Sequence, residues 1–202
     1  MNMLKLSVSN ANSKMGNVKS ISMPRMVTCA PDVPCAKTCY VGHFDWRRTV
    51  RDAYENNLNL WLTDPDSFEQ QAIAAAYGSF YFRWHVSGDI ISQDYLAMMC
   101  RVARKLPHTH FLAFTKQYKI VNQYLGAKKK IPSNLHILFS EWPGYNMDNT
   151  YNLPVAYVSF KNGVCDAPAN ANECGGHCED CAYAGKNCWV LKKGQSVVLR
   201  EH

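Results

Sequence analysis

The sequence lacks several features that would place it in familiar classes of protein. It has no run of about 18 apolar residues, which excludes a membrane-spanning helix. Its first twenty residues are polar and lack the apolar centre of a secretory signal, so we expect a cytoplasmic protein. Charged residues make up only 19% of the chain against 47% hydrophobic residues, which excludes disorder as the main state. We therefore expect 202 residues folded around a real core.

The motifs of common hydrolases and kinases are also missing. The chain has no glycine-rich phosphate loop, no Gly-x-Ser-x-Gly elbow and no His-Glu-x-x-His zinc motif. Its net charge of +6 is mildly basic, which permits an anionic partner such as nucleic acid but does not require one. Any chemistry must therefore come from another residue type.

Cysteine is the residue type present in excess. Nine cysteines occur, and only Cys100 stands alone, in an apolar helical pattern typical of a buried side chain. Because a cytoplasmic protein keeps its thiols reduced, clustered cysteines indicate metal or iron–sulfur ligation rather than disulfides. The first group consists of Cys29, Cys35 and Cys39, and the second of Cys165, Cys174, Cys178, Cys181 and Cys188.

Short apolar runs alternate with helical patterns over residues 1–161. This alternation is typical of right-handed βα units, so we predict an α/β fold with a mostly parallel, partial barrel-like sheet. A shift in composition at residue 162 predicts that 162–202 form a small cysteine-rich appendage ordered by metal.

Asp64 and Ser92 are predicted to start helices. Strands are predicted at 18–23, 80–86, 110–114, 135–139 and 155–160, and helices at 43–62, 68–77, 93–105 and 118–125.

Polar segments follow four of the predicted strands directly. Ligands bind parallel sheets at the carboxyl ends of the strands, so the pattern puts these segments on one ligand-binding edge. The segments are the first cysteine group, Ser87-Gly88-Asp89, Thr115-Lys116, and Ser140 with its neighbour Glu141.

The first cysteine group suits an iron–sulfur cluster. Three thiolates from one loop hold three irons of a [4Fe–4S] cube and leave the fourth iron open to a substrate or cofactor. The C-x5-C-x3-C spacing is loose for zinc, which favours pairs two to four residues apart. The alternative is a zinc site with His43 as fourth ligand.

The second cysteine group suits a fully ligated, structural centre. Cys178 and Cys181 form a C-x2-C pair, and Cys165 and Cys188 complete a set of four ligands for zinc or a second cluster. Cys174 is then spare, although its spacing to that pair is the one found in radical-enzyme clusters. A structural role is the favoured interpretation because four protein ligands leave no open position.

Three parts of the chain together resemble a phage-encoded family usually called gene product 88. They are residues 28–40, residues 82–89, and the tail that contains the second cysteine group and ends at residues 200–202. The resemblance runs from about residue 16 to residue 202 and implies a phage protein of the host cytoplasm. The last cysteine pair of the family is closer together than Cys181 and Cys188, so either Cys174 or Cys188 completes the second site.

The layout is also similar, more distantly, to radical S-adenosylmethionine enzymes. These carry three cysteines after the first strand and a Gly-Gly-Glu-like turn after the second, and Tyr40 matches the Cys-Tyr ending of some of their cluster loops. The resemblance implies an open [4Fe–4S] cluster, S-adenosylmethionine as cofactor, and a reductant of the flavodoxin or ferredoxin type. The implied cofactor contacts are Ser87, Gly88 and Asp89 for the methionine amino group, Thr115 and Lys116 for its carboxylate, and Ser140 for a ribose hydroxyl.

Two interpretations without S-adenosylmethionine chemistry remain open. One is a zinc or iron–sulfur module that binds nucleic acid through basic charge and exposed Trp84, Trp142 and Trp189. The other is a redox-sensing or iron-sensing protein whose cluster changes oxidation state without cleaving a cofactor. The substrate of an enzyme with these features is not encoded in any motif of the chain.

Overall fold

The computed structural model describes residues 4–201. Met1 to Met3, at the start of the predicted segment 1–161, lie outside the described residues, and so does His202, at the end of the predicted segment 162–202. Seven parallel strands form one open sheet in the order β1-β2-β3-β4-β5-β7-β6, so the predicted α/β fold is confirmed. The strands are β1 (Lys19–Ile21), β2 (Tyr81–Trp84), β3 (His110–Thr115), β4 (Leu135–Ser140), β5 (Val155–Ser159), β6 (Asn172–Glu173) and β7 (Ser196–Arg200).

Five α-helices accompany the strands within residues 4–201. They are α1 (Arg48–Thr63), α2 (Pro65–Ala76), α3 (Gln93–Lys105), α4 (Tyr118–Gly126) and α5 (Cys178–Tyr183). None of these helices combines the length and hydropathy that crossing a bilayer requires. The first four connect consecutive strands of the sheet, which gives the simple strand order from β1 to β4.

Side-chain caps fix the starts of two helices. Asp64 accepts a hydrogen bond from the backbone N–H of Ser67 at 2.9 Å, and Pro65 occupies the first turn of α2. Ser92 accepts a hydrogen bond from the N–H of Tyr95 at 3.1 Å at the start of α3. Both predicted helix starts are confirmed, because each side chain satisfies an N–H group that the helix itself leaves without a partner.

The two faces of the sheet belong to two separate cores. On β2, Phe82 and Trp84 join the core under the helices, whereas Tyr81 packs with the core on the opposite face. The same alternation on β3 sends Phe111 to the helices and Leu112 to the opposite face. Helices α1 to α4 cover one face only, so a different part of the chain must cover the other, which we call the inner face.

The C-terminal segment covers the inner face. Trp189 is 1% exposed and packs against Tyr81 with ring centroids 5.1 Å apart, and Leu191 and Val197 belong to the same core as Leu112. The segment also supplies β6 and β7, and β7 pairs with β5 along its whole length. The segment is therefore held by apolar packing and by backbone hydrogen bonds within the main sheet, and its ordering by metal stays a prediction.

Candidate functional site

The first cysteine group lies in the loop that follows β1. Its backbone forms two 3-10 turns, Pro34–Thr38 and Tyr40–His43, and all three thiols are half-buried. The pKa of Cys29 is raised to about 11, chiefly by burial and also by the neighbouring Asp89, Cys35 and Cys39. The three thiols thus lie within electrostatic range of one another. We call them the rim thiols.

Lys116 is a cation that acts on one of the rim thiols. Burial raises the pKa of Cys35, and the Lys116 ammonium opposes that rise. The Nζ of Lys116 donates to the Oγ of Ser140 at 2.8 Å and lies 5.4 Å from the centre of the Trp142 ring. Since Lys116 follows β3 and Ser140 ends β4, the predicted convergence of strand ends on one edge is seen for these residues.

The turn after β2 packs directly against the start of the cysteine loop. Gly88 has a φ of 77°, and a Cβ there would lie 2.5 Å from the Oγ1 of Thr28 and 2.8 Å from the carbonyl oxygen of Met23. Ser87 donates its hydroxyl to the same Met23 carbonyl at 2.9 Å, and the N–H of Asp89 donates to Thr28 Oγ1 at 3.0 Å. Only glycine fits this position, because both the backbone angle and the space exclude a side chain.

The carboxylate of Asp89 is bound within the protein. Its Oδ1 accepts from the Thr115 hydroxyl at 2.5 Å and from the Ile90 N–H at 2.7 Å, and its Oδ2 accepts from the Lys116 N–H at 2.8 Å. Burial raises the pKa of Asp89 to about 6, against the effect of these hydrogen bonds. Asp89 therefore joins the ends of β2 and β3 and fixes the backbone of Lys116.

Tyr40 reaches from the cysteine loop toward the inner face. Its hydroxyl donates to the carbonyl oxygen of Val86. Burial raises the pKa of Tyr40 to about 12; Arg83 opposes that rise, and the thiols of Cys39 and Cys178 add to it. The ring thus lies between a rim thiol and a cysteine of the second group.

The second cysteine group divides in the structure. Cys174, Cys178, Cys181 and Cys188 all belong to the apolar core on the inner face. The pKa of Cys188 is raised to about 12, chiefly by burial and also by the other three thiols. We call these four residues the inner-face cluster. Cys165 lies elsewhere, near Tyr157.

All nine cysteines are free thiols. Across residues 4–201, no group of three or more histidine, cysteine, aspartate or glutamate side chains is arranged so that it could hold a metal ion. Metal ligation by the two cysteine groups thus stays a prediction.

Two cationic residues that face the inner-face cluster are not among the site residues predicted from the sequence. Arg83 lies 3.9 Å from the Sγ of Cys178 through its Nη1, and its guanidinium lies over the ring of Phe114 at 4.6 Å. Lys14 is close enough to Arg83 for that cation to lower its pKa. A signal for Arg83 exists in the sequence: it is the charged residue in an otherwise aromatic strand, on the same face as Tyr81.

Two of the three tryptophans that the nucleic-acid interpretation requires to be exposed are buried in the cores. Trp84 and Trp189 are 0% and 1% exposed, because both fill the cores on either side of the sheet. Trp142 is half-buried beside Phe160. Trp46, which the sequence pattern did not single out, is 70% exposed.

His85, at the end of β2, is buried and lies 3.1 Å from the hydroxyl of Tyr95 through Nε2.

Fold and site together define an α/β protein with a thiol-bearing loop at the carboxyl edge of a parallel sheet. The chain belongs to the gene product 88 family, whose family model, described as Gene product 88, matches residues 3–159. The Gene 88 protein of Mycobacterium phage L5 is 29% identical over 180 residues, which cover 78% of this chain and 73% of that protein. No solved structure matches the chain.

These comparisons confirm the expected family and support the expectation of a phage protein. They supply no evidence for the more distant resemblance to radical S-adenosylmethionine enzymes. The matched residues 3–159 include the rim thiols, Asp89, Lys116 and Ser140.

Proposed function

We propose that this protein is an iron–sulfur protein that holds a [4Fe–4S] cluster through the rim thiols and leaves one iron open at the ligand-binding edge. The observation that supports the proposal is that three half-buried thiols from one loop share a common electrostatic environment beside Lys116. Three sulfur ligands from a loop after the first strand suit a cluster whose fourth iron faces a ligand.

The chemistry of the surrounding residues fits an anionic cluster. Thiols must lose their protons to bind iron as thiolates, and burial alone opposes that loss. Lys116 counteracts it at Cys35, and Arg25, which pairs with Asp45, lies close enough to Cys39 to interact with that thiol. Cations beside ligand sulfurs stabilise both the thiolates and the bound cluster.

We further infer that the open iron takes S-adenosylmethionine. A reduced cluster with this cofactor bound would supply radical chemistry, for which the protein contributes position and exclusion of water. Lys116 and Ser140 are the residues that can meet the carboxylate and a hydroxyl of the cofactor. Because the oxygens of Asp89 already accept hydrogen bonds from Thr115 and Lys116, Asp89 acts as a positioning residue in this proposal.

The test is to count iron and sulfide per chain after anaerobic reconstitution. We expect Cys39→Ser to lose the cluster with the open iron, whereas Cys165→Ser, its matched control outside the rim, keeps it. Adding S-adenosylmethionine to the reduced protein should change the electron paramagnetic resonance spectrum and release 5′-deoxyadenosine or methionine. A rim site that binds only zinc would refute the cluster, and an unchanged spectrum without cleavage would refute the cofactor.

A second candidate function is binding of single-stranded nucleic acid, which exposed Trp46 favours. Its indole N–H donates to the carbonyl oxygen of His43 at 2.9 Å, so the ring is held in place, and Arg47 lies 5.6 Å from its centre. Arg48 and Arg51 continue the basic surface along α1. An exposed aromatic ring among arginines suits base stacking with backbone neutralisation.

Anisotropy of a labelled oligonucleotide tests this second candidate. We expect affinity that falls with salt and is reduced by Trp46→Ala but not by Trp142→Ala. Binding that is independent of salt, or equal in both variants, would contradict it.

A further inference from the structure

The edge of the sheet opposite the rim thiols carries a concentration of positive charge. The chain enters its strands at this edge, which we call the amino edge. The segments that lead into β2, β3, β4, β5 and β7 contain seven lysines and arginines and no aspartate or glutamate. These segments are residues 77–80, 104–109, 127–134, 151–154 and 192–195. The seven cations are Arg104, Lys105, Lys128, Lys129, Lys130, Lys192 and Lys193.

These seven cations account for the basic character of the whole chain. Of its 22 lysines and arginines, seven lie here, which leaves 15 elsewhere against 16 aspartates and glutamates. All seven are exposed, and within residues 4–201 none of them forms an ion pair with an aspartate or glutamate. The rest of the molecule is therefore nearly neutral, whereas the amino edge presents its charge to solvent.

Hydrogen bonds tie the segments before β2, β3 and β4 to one another. The Oγ1 of Thr109 donates to the carbonyl oxygen of Ser79 at 2.7 Å, which joins the segments that lead into β3 and β2. The Nη2 of Arg104 donates to the carbonyl oxygen of Lys130 at 2.9 Å, which joins the segments that lead into β3 and β4. These three segments therefore form a continuous surface.

The segments before β5 and β7 extend this surface. The N–H of Gly194 donates to the carbonyl oxygen of Asn152 at 2.9 Å, so these two segments lie side by side. A Cβ on Gly126, the last residue of α4, would lie 3.1 Å from the hydroxyl oxygen of Tyr151. The lysines before β4 and those before β7 thus belong to one surface. We call the five segments together the amino-edge surface.

Helix ends explain only part of this charge. Arg104 and Lys105 lie in the last turn of α3, where cations interact favourably with the carbonyl oxygens of the helix end. The last turn of α4 contains no basic residue. Lys128 follows that helix with a φ of 57°, a left-handed conformation that glycine or asparagine adopts at lower cost. The lysines after α4 are therefore explained neither by the helix dipole nor by the turn.

Two exposed aromatic rings lie at one end of the amino-edge surface. Tyr77 is 75% exposed and Phe80 is 71% exposed. The backbone beside the second ring is held in place, because the N–H of His110 donates to the carbonyl oxygen of Phe80 at 2.7 Å. Exposed rings beside a row of cations suit a single strand of nucleic acid, whose phosphates meet the cations while its unpaired bases stack on the rings.

We propose that the amino-edge surface binds single-stranded nucleic acid, with its cations on the phosphates and Phe80 and Tyr77 against unpaired bases. The surface lies at the opposite edge from the rim thiols, so the proposal does not depend on the iron–sulfur cluster. It is also separate from exposed Trp46, which lies in the loop after β1. Binding through phosphates requires an affinity that falls as the salt concentration rises.

The test compares two triple variants of the full chain that lose the same charge. The surface variant carries Lys128→Asn, Lys129→Gln and Lys130→Gln. The control variant replaces three exposed lysines away from the amino edge, by Lys5→Gln, Lys37→Gln and Lys161→Gln. Anisotropy of a labelled oligothymidylate of about 20 nucleotides, longer than a typical binding site, gives the affinity of each at several salt concentrations. Thermal unfolding checks that both variants are folded.

We expect the surface variant to bind about tenfold more weakly or worse at low salt. Its slope of log affinity against log salt should fall by about 2, because each phosphate contact in a single strand contributes about 0.7. The control variant should keep its slope and lose a few-fold in affinity at most, since its lysines contribute only to the overall charge. Phe80→Ala should weaken binding by about 5–100-fold, whereas Trp142→Ala should not.

Three outcomes would overturn the proposal. The first is an equal loss of affinity in the two triple variants. The second is tighter binding of a duplex of the same length, which offers phosphates but no unpaired bases. The third is unchanged affinity in the surface variant, whether the protein binds through Trp46 or binds only vesicles that contain phosphatidylserine. None of these outcomes bears on the iron and sulfide content at the rim thiols, so the two proposals fail separately.

Discussion

His85 should make the stability of this protein depend on pH in a defined direction. Its ring is 3% exposed, and burial, with a smaller effect from the Arg83 charge, lowers its pKa from 6.5 to about 3. In the unfolded chain the ring takes up a proton below its ordinary pKa of 6.5, whereas in the folded protein it stays neutral. The contribution of His85 to the free energy of unfolding is therefore fully present above pH 6.5 and is lost as the pH falls toward 3.

The magnitude follows from the size of the shift. Each pH unit below 6.5 removes about 1.4 kcal/mol from the free energy of unfolding, which amounts to about 2 kcal/mol near pH 5. Among its neighbours, Tyr95 accepts or donates at Nε2, and Arg83 is the charged group that acts on the ring. Burial raises the pKa of Tyr95 well above its usual value, so its hydroxyl adds no pH dependence over this range.

Substitution by asparagine isolates this effect. His85 has a φ of 57°, which asparagine tolerates better than most residues, so His85→Asn keeps the backbone and removes the titrating ring. Loss of the contact with Tyr95 lowers stability by about 1 kcal/mol at every pH. Between about pH 7.5 and about pH 5 the natural protein should then change from about 1 kcal/mol more stable than the variant to about 1 kcal/mol less stable, a change of about 2 kcal/mol.

Urea unfolding followed by tryptophan fluorescence, in reducing buffer with chelator, measures both free energies. His43→Asn, at an exposed position, is the matched control and should show no such change. A difference between the natural protein and His85→Asn that stays constant over this pH range would refute the reasoning.

Three further outcomes are expected. Gly88→Ala should lower stability by about 2–3 kcal/mol because its Cβ meets backbone, whereas Gly78→Ala, also at positive φ but with open space, should cost about 1 kcal/mol in thermal unfolding. Trp189→Ala should cost about 3–5 kcal/mol and expose the C-terminal segment to limited proteolysis; unchanged proteolysis would contradict its role in the core. Lys116→Met should slow alkylation of Cys35 by iodoacetamide, measured by mass spectrometry, since removing the ammonium raises the pKa of that thiol; a faster reaction would contradict this.

Much of the α/β framework was predictable because its signals are local. Ser92 caps α3 through an N–H group three residues away, and the apolar pattern of 93–105 matches the observed helix. The alternation on β2 and β3 likewise identifies strands without knowledge of their neighbours. The carboxyl-edge position of Lys116 and Ser140 follows from strand order alone, so their contact was within reach of the sequence.

The C-terminal segment was harder because its order depends on distant partners. Trp189, Leu191 and Val197 are too sparse to suggest a core by themselves, but each meets apolar residues of the inner face. The choice between Cys174 and Cys188 as the residue that completes the second site likewise depends on how the segment folds back over the sheet. Cysteine spacing along the chain cannot decide it, since both residues flank the pair of Cys178 and Cys181 at plausible distances.

The position of β7 has a consequence for how the molecule is made. β7 lies between β5 and β6, and most of the residues that share a core with Leu112 and Leu138 come after residue 180, although Met15 and Val18 also belong to it. During synthesis, the first 160 residues leave the ribosome before the segment that covers most of the inner face. The apolar side chains on that face therefore stay exposed until the C-terminal segment has been made. A truncated chain would keep this apolar surface exposed, so it would not remain in solution.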